Sequence, residues 1–304
     1  MKMYVGVTDK DWFDILKAEQ CDEVNFWKPG TSNFKALDVN DLFLFKLHAP
    51  YNYIVGGGFF VRFTILPTFL AWDSFGIKNG TYSLQQLNVR IQKYRARNGI
   101  TESNPSIGCI ILTEPFFFDE QDWIPVPEDW KNSIVQGKTY STDTSVGKRL
   151  YDIVKERIAI NKVPSSMEGR VLRYSESLTK HRLGQGAFRV LVTDAYQRRC
   201  AVTGEKTLPV LEAAHIKPYS EDGPHMTSNG ILLKSDVHTL FDKGYITIDE
   251  NYTVDVSQRL HEDYGNGKDY YRYHGKKLFI LPGNISDQPS VDYLRWHNEH
   301  VFLG

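Results

Sequence analysis

The segment from Leu211 to Ile246, LEAAHIKPYSEDGPHMTSNGILLKSDVHTLFDKGYI, constrains this chain more than any other stretch. An apolar pair, Val210-Leu211, leads into His215. Pro218, Gly223 and Pro224 fill the stretch before Asn229. Proline and glycine punctuate loops. A helical pattern running Asn229-Gly-Ile-Leu-Leu-Lys-Ser-Asp-Val-His-Thr-Leu-Phe-Asp242 carries His238. A strand, a loop, a strand and a helix in this order would bring two histidines to one divalent cation. A single such histidine is more often an unremarkable loop or helix residue. The ordered set AAHIKP, SNGILL and HTLFDKGYI carries the reading.

Phosphodiester hydrolysis needs those residue types. A base must take a proton from water, and a cation must neutralise charge on the phosphate and the leaving oxygen. Histidine ionises closest to neutral pH. Residues 181–250, with Arg189 and the phrase Cys200-Ala-Val-Thr-Gly204, resemble the HNH endonuclease (ββα-metal) family. The resemblance implies that His215 is the base, that Asn229 ties the loop through its side chain, and that His238 binds metal from the helix. Mg²⁺ or Mn²⁺ suits a site that holds phosphate oxygens and water.

The chain departs from that family twice. Many members carry Asp, Glu or His before the base, as a second metal ligand. Here the position is Ala214. Glu212 lies one alternation away on the strand and is the first substitute. The Ala214 main-chain carbonyl and Asp242 are the others. Some relatives also hold a structural zinc with two Cys-x-x-Cys pairs. Here only Cys200 stands in place, with Thr203, Lys234 and Val237 where its partners would be, so no structural zinc is expected. Cys21, Cys109 and Cys200 show no paired spacing and fit a reducing cytoplasm.

The chain's 304 residues, 41% of them hydrophobic, suffice for two domains. No apolar run is long enough to span a membrane, and the first residues lack the apolar core of a signal peptide. The net charge of −1 looks wrong for a DNA-binding protein, but its distribution is uneven. Residues 141–220 hold 14 basic against 8 acidic residues, while 221–304 hold 8 against 13. Positive charge just before and into the histidine module could track phosphates, although each such side chain is equally at home on a solvated helical face. The excess is small, so a separate element should supply recognition.

Residues 1–135 read as that element. Met3–Thr8 is a short strand pattern, and Thr8-Asp-Lys-Asp11 caps a helix over Asp11–Lys17. Asp41–Leu47 and Tyr53–Phe63 are apolar strands, the second broken by Gly56-Gly-Gly58. Glycines inside a strand mark a bulge, a bend or a close backbone approach. A helix over Ser83–Arg97 and late strands at Ile107–Thr113 and Phe116–Phe118 complete a small, mixed, bent β-barrel. The opening Tyr4–Trp12, then Asn25-Phe-Trp27, Ala36–Phe45, Ile54–Phe59 and Ile110-Ile-Leu112 resemble the EVE domain of the PUA/SRA-like superfamily, over about residues 1–130. The resemblance implies a reader of modified bases, and some bacterial restriction endonucleases join such a reader to an HNH nuclease.

A modified base is best inspected out of the stack, between aromatic walls. Trp27, beside Asn25 and Lys28 at a strand end, is the first pocket candidate. Tyr51 and Asn52 come next, with Trp72 behind them. Most of the other aromatics, Phe43, Phe45 and Phe63 above all, read as core. Residues 136–180 read as a helix-bearing linker, with a helix over Val146–Ile160 that is also a candidate dimer contact. Leu278–Pro282 reads as a strand and Tyr293–His297 as a closing helix, with His297 and His300 on the surface.

The expectation is therefore an α+β chain: a PUA/EVE/SRA-like reader over 1–135, a linker over 136–180 and a ββα-metal nuclease over 181–304. It would bind double-stranded DNA carrying 5-methyl- or 5-hydroxymethylcytosine, flip the base and cut with Mg²⁺ or Mn²⁺. A phosphorothioate-dependent nuclease is the alternative enzyme. A nucleic-acid-binding protein with an inactive module is the reading that Ala214 keeps open.

Overall fold

The computed structural model describes residues 1–95, 102, 104–160 and 183–304. The chain divides into two compact units, Met1–His181 and Arg182–Gly304. No helix among the described residues is long and apolar enough to cross a membrane.

The first unit runs β1 (Lys2–Thr8), α1 (Lys10–Glu19), β2 (Glu23–Lys28), β3 (Leu42–Leu47), β4 (Tyr53–Pro67), α2 (Thr68–Phe75), α3 (Leu84–Arg95), β5 (Ser106–Phe117), β6 (Ile124–Pro125), β7 (Gly137–Ser141) and α4 (Ser145–Ile160). One sheet orders the strands β2-β5-β4-β3-β1-β7, with β6 also on β4. Among the described residues only β1 and β3 pair in parallel. Among the described residues no pairing of β2 with β7 closes the sheet into the expected barrel. Two register shifts along β4, at Gly57/Phe59 and Phe60/Arg62, mark bulges. Bulges bend a strand and increase its twist. The glycines are needed there. A Cβ on Gly57 would lie 2.6 Å from the Phe43 carbonyl oxygen, and one on Gly56 would strike that of Phe116.

β3 shows why this sheet reads as an unbroken apolar run. Leu42 and Leu44 join one core with Met3, Val5, Ile54 and Phe116. Phe43 and Phe45 join the other with Trp12, Phe13, Phe26 and Phe60. Successive side chains point to opposite faces, and both faces are covered, so every residue of the strand is buried. Lys46 is buried with them; its ammonium donates to Asn52 Oδ1 and sits over the Trp130 ring. Residues 137–160, expected as linker, belong to this unit instead. β7 pairs with β1, and Leu150, Val154 and Ile158 of α4 fill the first core. That apolar face is covered within the unit. The remainder of the expected linker, with Pro164 and Ser165-Ser166, lies outside the described residues.

The second unit runs α5 (Gln185–Ala195), β8 (Leu211–His215), β9 (Gly230–Lys234), α6 (Ser235–Asp242), β10 (Ile246–Ile248), β11 (Val254–Val256), α7 (Arg259–Tyr264), α8 (Lys268–Tyr271) and α9 (Val291–His300). The helical pattern expected from Asn229 divides. Gly230–Lys234 pairs antiparallel with β8, and the helix starts only at Ser235. Ile231, Leu232 and Leu233 are all fully buried, as a covered strand requires. Leu278–Pro282 does not form the expected strand. Leu278 and Phe279 donate their amides to Tyr252 and Ala201, two separate segments, so no ladder develops.

His297 lies inside the unit. It is 2% exposed, not a surface residue. Its ring stacks on Phe241. Nε2 lies 3.1 Å from the Phe241 carbonyl oxygen, so it carries the hydrogen and donates, and Nδ1 accepts from Thr247 Oγ1 at 2.8 Å. His300 is exposed, stacked on Trp296. Burial pushes the His297 pKa down to about 4 from the usual 6.5. The folded state then binds fewer protons than the unfolded chain between those values. The contribution to stability is complete above pH 6.5 and is lost as pH falls toward 4, about 2–4 kcal/mol for one such group. The thermal midpoint of this unit should fall over that window, and His297→Leu should flatten the fall. Calorimetry from pH 7.5 to 4.5 checks it; parallel curves for the two proteins would refute the assignment.

Candidate active site

β8 ends on His215, and its register with β9 sets Glu212 opposite Leu233 and His215 opposite Gly230. The loop between them is closed by Asn229, which is fully buried. Its Oδ1 accepts from the Lys217 amide at 2.9 Å. Its Nδ2 donates to the carbonyls of Lys217 (2.9 Å) and Pro224 (3.0 Å). One carboxamide thus satisfies three backbone groups, each costly to leave unpaired when buried. Gly230 follows because a Cβ there would strike Val192 and Phe188 of α5.

Phe188 fixes the His215 ring, parallel to it at 3.9 Å between centroids. His215 Nε2 lies 2.9 Å from His225 Nδ1, and His225 in turn stacks on Tyr219 at 4.8 Å. Burial first, then the neighbouring His225 and His238, push the His215 pKa down to about 4, against the pull of Asp242. At neutral pH this imidazole keeps a lone pair for a proton.

His238 is the opposite case. Val237 and Phe241, four apart on α6, bury the helix. His238 and Asp242 share its flank, one turn apart. His238 Nδ1 lies 2.6 Å from Glu212 Oε2, and Nε2 lies 3.2 Å from Asp242 Oδ2. Burial works to lower this pKa, but the hydrogen bonds of the two carboxylates outweigh it and raise it. Two titratable groups in one site whose environments push their pKa values apart are suited to different roles.

His215, His238, Glu212, Asp242 and Arg189 line one cavity of about 450 Å³. Ala214 pairs with Ile231 in the ladder and is wholly buried. Of the substitutes for a missing ligand, Glu212 and Asp242 are therefore the ones whose side chains stand beside His238. Among the described residues no group of three or more His, Cys, Asp or Glu side chains is placed to hold a metal ion. Both His238 nitrogens face carboxylates in this arrangement, so a Mg²⁺ or Mn²⁺ ion that keeps water and phosphate oxygens as ligands would bind here only once Glu212 and Asp242 turn from the ring to the ion. Cys200 is buried, and its Sγ accepts the backbone amides of Thr203 (3.4 Å) and Lys234 (3.2 Å), two positions where zinc partners would stand.

The reader candidates do not converge on one pocket. Asn25 is fully buried and donates to Asn79 Oδ1 at 2.9 Å and to the Cys109 sulfur. Trp27 donates from Nε1 to the Asn79 carbonyl and packs edge-on against Tyr94. Trp72 is half-buried on α2. Asn52 is exposed at a left-handed φ of 54° and accepts from Lys46. Tyr51 is exposed. It lines a polar cleft of about 260 Å³ with Asp9, His48, Arg90, Lys93 and Tyr94. The Tyr94 hydroxyl donates to the Asp9 carboxylate at 2.8 Å. The sequence reading missed this cleft, because its residues come from separate loops and helices, and it missed His225.

A two-stranded hairpin and a helix hold the two histidines, one ending the first strand and the other on the helix. Residues 200–249 match the HNH endonuclease family. No curated protein sequence matches the chain. Among solved structures, the ASCH protein of Zymomonas mobilis is similar over 49% of this chain and 94% of its own, at 8% identity and a TM-score of 0.35. A mutant form of it is similar over 50% and 98%, at 9% identity and a TM-score of 0.36. The modification-dependent restriction endonuclease TagI is similar over 92% of this chain and 75% of its own, at 13% identity and a TM-score of 0.30.

Proposed function

We propose that this chain is a modification-dependent DNA endonuclease. Its first unit binds double-stranded DNA carrying 5-methyl- or 5-hydroxymethylcytosine with the base turned out, and its second hydrolyses a phosphodiester bond with Mg²⁺ or Mn²⁺. The observation that carries the reading is a ring-stacked His215 sharing a cavity wall with a carboxylate-flanked His238 inside the residues that match the HNH family. His215 takes the proton from the attacking water. Asn229 holds the loop that presents it. Glu212, His238 and Asp242 would hold the cation, which supplies charge neutralisation at the phosphate. Arg189 adds positive charge to the same wall.

On the first unit, Tyr51 is the aromatic best placed to stack on an extruded base. Asn25 is already bound by Asn79, and Trp27 packs on Tyr94. Arg90 and Lys93 at the cleft suit phosphates. Base–aromatic stacking is worth about 1–3 kcal/mol, so Tyr51→Ala should weaken binding to modified DNA by about ten- to a hundredfold and leave plain-DNA binding unchanged. Gel shifts with the cleavage-inactive His215→Ala protein check this, and equal loss on both DNAs would count against it. Digestion of one DNA prepared unmodified, methylated, hydroxymethylated and phosphorothioated tests the whole reading. Cutting confined to the phosphorothioated form would replace the base reader with a sulfur reader.

A further inference from the structure

We propose that His225 is a positioning residue for His215: it fixes the tautomer of the base and shares the charge that the base acquires. The proposal rests on the reading of His215 as the general base. Two imidazole nitrogens 2.9 Å apart cannot both present lone pairs, so one of them carries the hydrogen. A neutral imidazole has one N–H. If His225 Nδ1 were the donor, His215 Nε2 would be occupied and its hydrogen would sit on Nδ1, leaving no lone pair for water. If His215 Nε2 is the donor, Nδ1 is open. Only the second arrangement permits a base.

The proton balance is then simple. One proton moves from water to His215 Nδ1, and none leaves Nε2. The imidazolium so formed donates a charge-assisted bond to His225 Nδ1, and such bonds are roughly twice as strong as neutral ones. The carboxylate of a hydrolytic triad plays the comparable part, holding the base in one tautomer and stabilising its charged form. Here a second imidazole does it. The surroundings support this use of His225. Tyr219 stacks on its other side, Asn229 ties the preceding Pro224 carbonyl, and the Met226 amide closes back on Pro224 at 2.9 Å. The loop thus delivers one particular nitrogen to His215.

The test has two arms on the full chain. In the first, long-range ¹H–¹⁵N correlation of imidazole-labelled protein reads the tautomers without any cleavage. His215 should be protonated at Nε2 and His225 should present an unprotonated Nδ1. A hydrogen on His225 Nδ1 overturns the proposal. In the second, cleavage of methylated and plain plasmid DNA in Mn²⁺ is measured under single turnover. His225→Leu should lower the rate about ten- to a hundredfold with DNA affinity unchanged. His225→Asn, which keeps an acceptor near the Nδ1 position, should recover most of it. A wild-type rate in His225→Leu, or equal losses in both variants with a lowered thermal midpoint, overturns the proposal. His215→Ala separates the two levels. If that protein cuts normally, the base assignment fails; if it is inactive while His225→Leu is normal, only the positioning role fails.

Discussion

His215→Ala is expected to lose about 10²–10⁴-fold in cleavage rate while binding DNA as the wild type does. The distinction follows from where the side chain sits. His215 is held by a stacked ring and one nitrogen contact at the end of β8. The loop beyond it is closed by Asn229 instead. Removing the imidazole leaves the clamp in place, so the loss should fall on the chemical step. Single-turnover cleavage beside a binding isotherm separates the two. Cutting within a few-fold of wild type would remove His215 from the mechanism.

Withdrawing divalent cations should cost more still. Charge stabilisation by a bound metal is worth several kcal/mol, and each 1.36 kcal/mol is tenfold in rate. Chelation should therefore reduce cleavage by about a thousandfold or more, with recovery on adding Mg²⁺ or Mn²⁺. His238→Ala should resemble the chelated enzyme and respond poorly to added cation. Glu212→Gln should raise the cation concentration needed. Elemental analysis should find no stoichiometric zinc, since the Cys200 thiol accepts two backbone amides. Undiminished cutting in excess chelator, or one zinc per chain, would each contradict this account.

What the sequence made legible was local order. His215, Asn229 and His238 occur at spacings that a hairpin and a helix turn into one site, so their proximity could be foreseen. Glu212 could be named because strand alternation limits the choices near Ala214. His225 could not, because a loop residue has no period, and only the closed loop delivers it to His215. His297 was readable in principle. It stands three residues after the buried Leu294 on α9, on the same helical face, yet a lone histidine near the chain's end looks like a surface residue. Asn25 shows another limit. Its neighbours Phe26 and Trp27 suggested a pocket, but its partner Asn79 lies 54 residues away, and nothing local announces that pairing. The helical reading of Asn229–Asp242 erred because a short buried strand and a buried helix segment share one composition.

The Asn229 clamp carries a consequence for how this protein ages. Asn229 is followed by Gly230, and an Asn-Gly pair readily loses its side-chain nitrogen when the next backbone amide can attack the carboxamide. Burial and three hydrogen bonds hold that carboxamide in place while the loop is closed. Each transient opening exposes it to attack. The product, an aspartate, turns its oxygen toward the carbonyls of Lys217 and Pro224, where the amide had donated. Acceptor then faces acceptor, and the loop cannot close again as before. Loss of activity on storage would then track the frequency of loop opening rather than global unfolding, with a gain of one mass unit and one negative charge in the peptide that contains Asn229.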